Sequence, residues 1–149
     1  MISGFFGKYR WLSNFWEHPV IYQGVTAPTA EHHYQAAKAA NPSDAAAVLA
    51  AESPGAAKRL GTKIALRSDW DRVRYSVMES IVTAKFADPN LAQLLLATGT
   101  AELVESNNWH DTAWGICTCD IHGGAGANGL GHILVSTRAQ LRERKETNK

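Results

Sequence analysis

The chain has 149 residues and a mass of 16.2 kDa, and 45% of it is hydrophobic, enough for one ordinary domain with its own core. That composition excludes a disordered or fibrous chain. Fifteen Lys and Arg stand against 14 Asp and Glu for a net charge of +1, so no strong overall field gathers nucleic acid or an anionic membrane.

The balance is uneven along the chain. From Arg138 to the end there are five basic and two acidic residues, +3, while the preceding part has 10 basic and 12 acidic residues, −2. A large polyanion would be recognised locally or through the basic C-terminal end. Apolar runs fall far short of the ~18 residues of a membrane span. Met1-Ile2-Ser3-Gly4 leads straight into aromatic sequence without the charged and apolar regions of a secretory signal. A cytoplasmic protein is expected. Cys117 and Cys119 are separated by one residue, too close for an ordinary structural disulfide, and reduced thiols are expected.

In chain order, Phe5 to Trp16 is dense in aromatics but has no sustained period, as in a segment that wraps a core or lines a cleft. Val20-Ile21-Tyr22 and Val25-Thr26 flank Gln23-Gly24 and predict a short hairpin. Thr29 is placed to cap a helix through Lys38 that Asn41-Pro42 stops. Ser43 is placed to cap an Ala-rich helix, and Ser53-Pro54 to open another that ends at Gly61. Ser68 opens the clearest helix, where Trp70, Val73, Val77, Ile81 and Ala84 recur on one stripe before Asp88-Pro89. A short helix follows over Leu91 to Leu96, closed by Thr98-Gly99. The stretch from Leu103 to Gly126 reads as mostly irregular, and Leu130, Ile133, Leu134, Thr137 and Leu141 space out a last amphipathic helix. The expected fold is mainly α: a single compact multi-helix domain with a small N-terminal β-hairpin, spanning residues 1–142, followed by a charged tail over 143–149.

Chemistry concentrates on the first helix. Glu31, Gln35 and Lys38 are spaced i, i+4, i+7 and fall within ~60° of one another on a helix, so one face carries an acid, an amide and an amine. The plain alternative is a solvent-exposed stripe of polar pairs. His32-His33 point about 100° apart and cannot chelate one metal together. Cys117-Thr118-Cys119-Asp120-Ile121-His122 holds three possible ligands but lacks the paired C-x2-C spacing of common zinc sites. Gly124-Ala125-Gly126-Ala127-Asn128-Gly129 matches G-x-G-x-x-G formally, yet no strand follows it, which excludes a dinucleotide fold. It is left as a flexible loop, or as a helix start whose N–H groups could hold one phosphate. Asp111 stands three residues before Trp114, an indole that could stack on a base or fill a core.

The segments together resemble the NADAR (YbiA-like) family of N-glycosidases. The likeness is carried by Leu12-Ser13-Asn14-Phe15, Glu31-His32 with Gln35 and Lys38, and Ala57-Lys58-Arg59-Leu60-Gly61. It continues through Trp70, Met78, Lys85-Phe86, Leu94 to Gly99 and Leu103-Val104-Glu105, then Asp111 with Trp114-Gly115, and Gly126 to Gly131. The resemblance implies a mainly helical hydrolase that cleaves a bond between ribose C1 and nitrogen. Its substrate would be ADP-ribose on the amino group of guanine, in a nucleotide or in single-stranded or flipped nucleic acid, or a ribosylamino-pyrimidine phosphate of riboflavin synthesis. It implies Glu31, Lys38 and Asp111 as catalytic residues. Ser13, Asn14, Phe15, Gln35, Trp114, Gly115 and Asn128 would contact the substrate or shape the cleft. No metal or organic cofactor is implied. The rival from another class is a non-catalytic nucleotide or ADP-ribose binding module. This chain departs from the family pattern between Gly115 and Gly126, where relatives have a shorter glycine-rich stretch, and at Val135, where a Met is common.

Overall fold

The computed structural model describes residues 1–148 and is mainly α-helical. Its elements are β1 (Ile2–Ser3), a 3-10 helix (Gly7–Leu12), β2 (Val20–Tyr22), β3 (Val25–Ala27), α1 (Ala30–Ala37), α2 (Pro42–Leu49) and α3 (Pro54–Gly61). They continue with α4 (Trp70–Lys85), α5 (Pro89–Ala97), β4 (Leu103–Val104), β5 (Ser106–Asn107), β6 (Ile116–Cys117) and α6 (Gly129–Thr147). The chain forms two compact units, one of Asn14–Lys85 and the other of Met1–Ser13 with the chain from Phe86 onward.

In the Asn14–Lys85 unit the hairpin stands as its sequence predicts. Gln23 (φ 52°) and Gly24 (φ 77°) both take the left-handed backbone that a two-residue link between twisted strands requires. Thr29 caps α1, its hydroxyl accepting the His32 N–H at 3.2 Å. The cap of α2 is Asn41 rather than Ser43. Asn41 Oδ1 accepts the Asp44 N–H at 2.9 Å, and Pro42 sits in the first turn, where a missing N–H costs nothing. Ser53 caps α3 in the same way. Buried Ala36, Val48 and Ala57 form a core against which Leu49, Leu60 and Ile64 pack, and their small size lets α1, α2 and α3 approach closely.

The α4 stripe is wider than its spacing predicts. Trp70 and Ile81 are buried, but Met78 and Val82 are buried beside them, while Val73 and Val77 are half-buried. Both α1 and β2 pack on this helix, so a broad arc leaves solvent.

In the other unit β1 pairs in parallel with β4, Ile2 opposite Leu103, and β5 pairs in parallel with β6, Ser106 opposite Ile116. Residues 103–126 are therefore not wholly irregular, but each strand has two residues, too few to show a period of two. Buried Trp11 meets Phe86 edge-on at 6.3 Å. Asp88 Oδ2 accepts the Leu91 N–H at 2.9 Å to cap α5, and the Thr98 hydroxyl closes that helix on the Leu95 carbonyl at 2.6 Å. On α6, Leu130, Ile133, Leu134 and Thr137 are buried, and the helix runs through the charged tail to Thr147. Two of its basic residues serve the fold: Arg138 donates to Thr98 Oγ1 and Arg142 to the Gly99 carbonyl, each at 2.8 Å, at the negative end of α5. Among the described residues no helix is long and apolar enough to cross a membrane.

Candidate functional site

The acid, amide and amine face of α1 is not a solvated stripe. Glu31 and Gln35 are 7% and 3% exposed, and Lys38 is half-buried. Gln35 Nε2 donates to Glu31 Oε1 at 2.7 Å, fixing one carboxylate oxygen. Gln35 in turn lies against Gly61 of α3, where a Cβ would run into its amide oxygen and force that side chain to shift. That buried oxygen has no hydrogen-bond partner among the described residues. A buried acceptor left unpaired costs about 1–3 kcal/mol, a penalty consistent with a face shaped for something besides stability.

Lys38 ends α1. Its N–H returns to the Gln35 carbonyl, and its own carbonyl accepts the Arg67 N–H at 2.8 Å, which anchors the backbone while the side chain reaches past the Tyr34 ring, 5.5 Å away. Burial pushes the Lys38 amine below its ordinary range; the Glu31 charge opposes that shift and the Lys58 charge adds to it. Lys58 Nζ lies 5.8 Å from the Phe15 ring. Asn14 is buried, its amide directed to Met78 Sδ at 3.3 Å, and its carbonyl takes the Glu31 N–H at 3.0 Å. The Asn14 that the family motif offers for the cleft is thus also a brace for the start of α1.

The adjacent histidines are braces as well. His32 is held between Thr29 Oγ1 at 2.7 Å and the Ala51 carbonyl at 2.9 Å. Only a protonated Nε2 can face a carbonyl, so Nε2 donates to Ala51 while Nδ1 faces the Thr29 hydroxyl. His33 Nε2 likewise donates to the Val20 carbonyl at 2.8 Å and tethers the hairpin to α1. Burial pushes the His33 ring below its ordinary range, with the Val20 bond opposing.

The other unit carries Ser13, Asp111, Trp114, Gly115 and Asn128. Ser13 ends the 3-10 helix, its N–H donating to the Arg10 carbonyl at 3.0 Å. Asp111 Oδ1 accepts the N–H groups of Ala113 and Trp114 at 3.1 and 2.9 Å, a local turn that sets the half-buried indole. Buried Asn107, which the sequence reading does not single out, organises this turn. Its amide nitrogen donates to the carbonyls of Asp111 and Ile116, and its oxygen accepts the N–H groups of Trp109 and Asp111. Asn128 has φ 52° and spends its amide on β4, accepting from Glu105 N and donating to Leu103 O, each at 2.9 Å. Its observed role is internal bracing.

The glycine-rich stretch is neither a flexible loop nor a phosphate cradle. The N–H groups of Ala127, Asn128, Gly129 and Leu130 donate to the carbonyls of Thr112, Gly115, Ala113 and Trp114. An anion has none of these donors left to bind. Gly131 packs against the Leu103 carbonyl and the Asn128 amide, where a Cβ would collide.

One further cluster stands in this unit. His110, Cys117, Cys119 and His122 each place one nitrogen or sulfur so that all four lie within 4.8 Å of one another. Both thiols are unlinked. Burial pushes the Cys119 thiol up, but the His122 N–H, the Cys117 thiol, the His122 ring and the Ile121 backbone outweigh it and bring it down to about 6. His110, in left-handed backbone at φ 72°, is the member that sequence spacing missed, lying seven residues before Cys117.

A family model for the NADAR domain matches residues 5–142. The N-glycosidase YbiA of Escherichia coli K12 is 38% identical over 132 residues, covering 87% of this chain and 79% of its own. A riboflavin biosynthesis protein of Vibrio vulnificus is 38% identical over 144 residues, 95% of this chain but 38% of that longer protein. The NMR structure of E. coli YbiA superposes with a TM-score of 0.83 at 34% identity, covering 97% of this chain and 87% of that one. Matched over nearly all its length in sequence and in fold, the chain belongs to the NADAR family of N-glycosidases.

Proposed function

We propose that this protein hydrolyses the bond between ribose C1 and an exocyclic amino nitrogen, with Glu31 and Lys38 as its catalytic residues and ADP-ribosylated guanine as its substrate. The observation that carries the reading is the buried α1 face, where an amide fixes the Glu31 carboxylate and burial depresses the Lys38 amine. Breaking a ribosyl C–N bond builds oxocarbenium-like charge on C1, which a fixed carboxylate stabilises. The departing amine needs a proton, which Lys38 can supply when charged.

A neutral Lys38 has a second route. When the sugar opens to its imine, Nζ adds to C1, the base leaves as its free amine, and water hydrolyses the remaining lysine imine to the sugar aldehyde. Neither route requires a metal. Asp111, Trp114 and Gly115 enter the proposal on the family motif; the half-buried Trp114 indole is of a kind that stacks on a nucleobase. Ser13, Asn14, Phe15, Gln35 and Asn128 enter as residues that shape or brace the site.

A second substrate is favoured by the names of two relatives, the riboflavin biosynthesis proteins of V. vulnificus and Zea mays. For this chain it would be a ribosylamino-pyrimidine phosphate. One experiment separates the readings: incubate the purified protein with each substrate and follow release of ADP-ribose or ribose 5-phosphate. Release of ADP-ribose supports the first substrate, and ribose 5-phosphate alone replaces it by the second. Binding without release of either sugar would make the protein a non-catalytic binding module and overturn the enzymatic reading.

A further inference from the structure

We propose that His110, Cys117, Cys119 and His122 form a closed, structural Zn2+ site that clamps the segment between β5 and α6. The ligand set is two thiolates and two imidazoles, whose charge neutralises a divalent cation and whose chemistry suits zinc in a tetrahedral site. Zinc–nitrogen and zinc–sulfur bonds of about 2.0 and 2.3 Å set tetrahedral ligand edges of roughly 3.3 to 3.8 Å. In the protein, Cys119 Sγ lies 3.0 Å from His122 Nδ1 and 3.4 Å from His110 Nδ1, and the two Nδ1 atoms are 3.4 Å apart. Those separations leave small adjustments for an entering ion.

The loop is built to hold this geometry. Gly123 N donates to the Cys119 carbonyl at 2.8 Å, and Cys117 N to the Ala125 carbonyl at 2.9 Å. The His122 N–H is directed to Cys119 Sγ at 3.4 Å, the backbone-to-sulfur bond that supports thiolate ligands. Cys117 is fully buried at the end of β6, while His110 reaches the cluster from the far side of the Asp111 turn. The ion would thus tie two chain segments that otherwise meet through the Asn107 bonds. With all four positions filled by protein, it leaves none for substrate. Both sulfurs would hold the ion as thiolates.

The test reads metal rather than turnover, so it stands apart from the N-glycosidase reading. The full chain is purified from zinc-supplemented medium without chelator and assayed for metal content. About one Zn2+ per chain is expected, and a His110→Ala/His122→Ala double variant with unchanged far-ultraviolet circular dichroism should hold less than about a tenth of that. Replacing zinc by Co2+ should give thiolate-to-cobalt charge transfer and tetrahedral visible bands, absent from the variant. Chelation should expose both thiols to alkylation and lower Tm by several degrees in the parent chain only. Background zinc in the parent after incubation with Zn2+, or full zinc retention by the folded double variant, would overturn the site.

Discussion

In the proposed reaction Lys38 is the residue on which the chemistry turns. The amine is depressed by burial and by Lys58, and held up by Glu31, so its titration reports its role. As a nucleophile it must be neutral, and kcat should rise with pH through its lowered value; as a proton donor it must be charged, and kcat should fall there. In either case Lys58→Gln removes a nearby positive charge, lets the Lys38 amine rise, and should move the limb to higher pH. A limb that stays in place assigns it to another group. Lys38→Arg keeps charge without a titrating amine and should be nearly as inactive as Lys38→Ala, and borohydride during turnover should trap a sugar adduct on the Lys38 peptide if the covalent route operates. Glu31→Gln should keep the fold and lower turnover by about 10² or more; turnover within a few-fold of the parent would remove Glu31 from the reaction.

At the scale of elements, the structure shows which side chains hold elements in place, and that bracing can be measured. Asn128→Ala leaves Glu105 N and Leu103 O without their partner and puts Ala at φ 52°, so a loss of roughly 2–4 kcal/mol is expected. Denaturant unfolding checks it, and a loss under about 1 kcal/mol would mean that water replaces the amide. The His33 tether has a pH signature. Burial lowers its folded pKa below 6.5, so the unfolded chain takes up a proton first. The tether's stabilisation is complete above about 6.5 and declines as pH falls toward the folded value. His33→Gln should flatten that acid-side slope in unfolding free energy.

The starts of α1 and α3 were legible because Thr29 and Ser53-Pro54 are local chemical signals, read by the next turn of backbone, whereas Asp88-Pro89, which reads as a stop for the preceding helix, also caps α5. The Glu31, Gln35 and Lys38 face was legible as a spacing, but its burial was not, since α3 and Gly61 come from elsewhere in the chain. The two-residue strands have no period to read. Asn107 and the His110 ligand were hidden for the same physical reason: their partners meet only after the loop from Asp111 to Ala125 closes. Gly124 to Gly129 reads either as a flexible loop or as a helix start that holds a phosphate, because close backbone packing, close ligand approach and free turns all call for glycine.

Charge decides what the whole molecule can recognise. The net charge is +1, and of the basic residues on α6, Arg138 and Arg142 are bonded to the end of α5. On α6 that leaves Arg144 and Lys145 to meet a phosphate backbone, and the α6 N-terminus spends its donors internally. On the proposed function, the substrate is then read at the modified nucleotide rather than along a strand. An ADP-ribosylated single-stranded oligonucleotide should therefore bind with a weak salt dependence, a slope of log Kd against log salt of about 1 to 2, as for two or three phosphates at about 0.7 each. ADP-ribosylated guanosine alone should reach a kcat/KM within about ten-fold of the oligonucleotide, since each ten-fold is only about 1.4 kcal/mol of phosphate contact. Substituting Arg144 and Lys145 by Gln should reduce the salt slope without changing turnover of the nucleoside. A slope well above 3, or a nucleoside that is not turned over at all, would show that the strand itself is recognised and that cations outside α6 supply the contact.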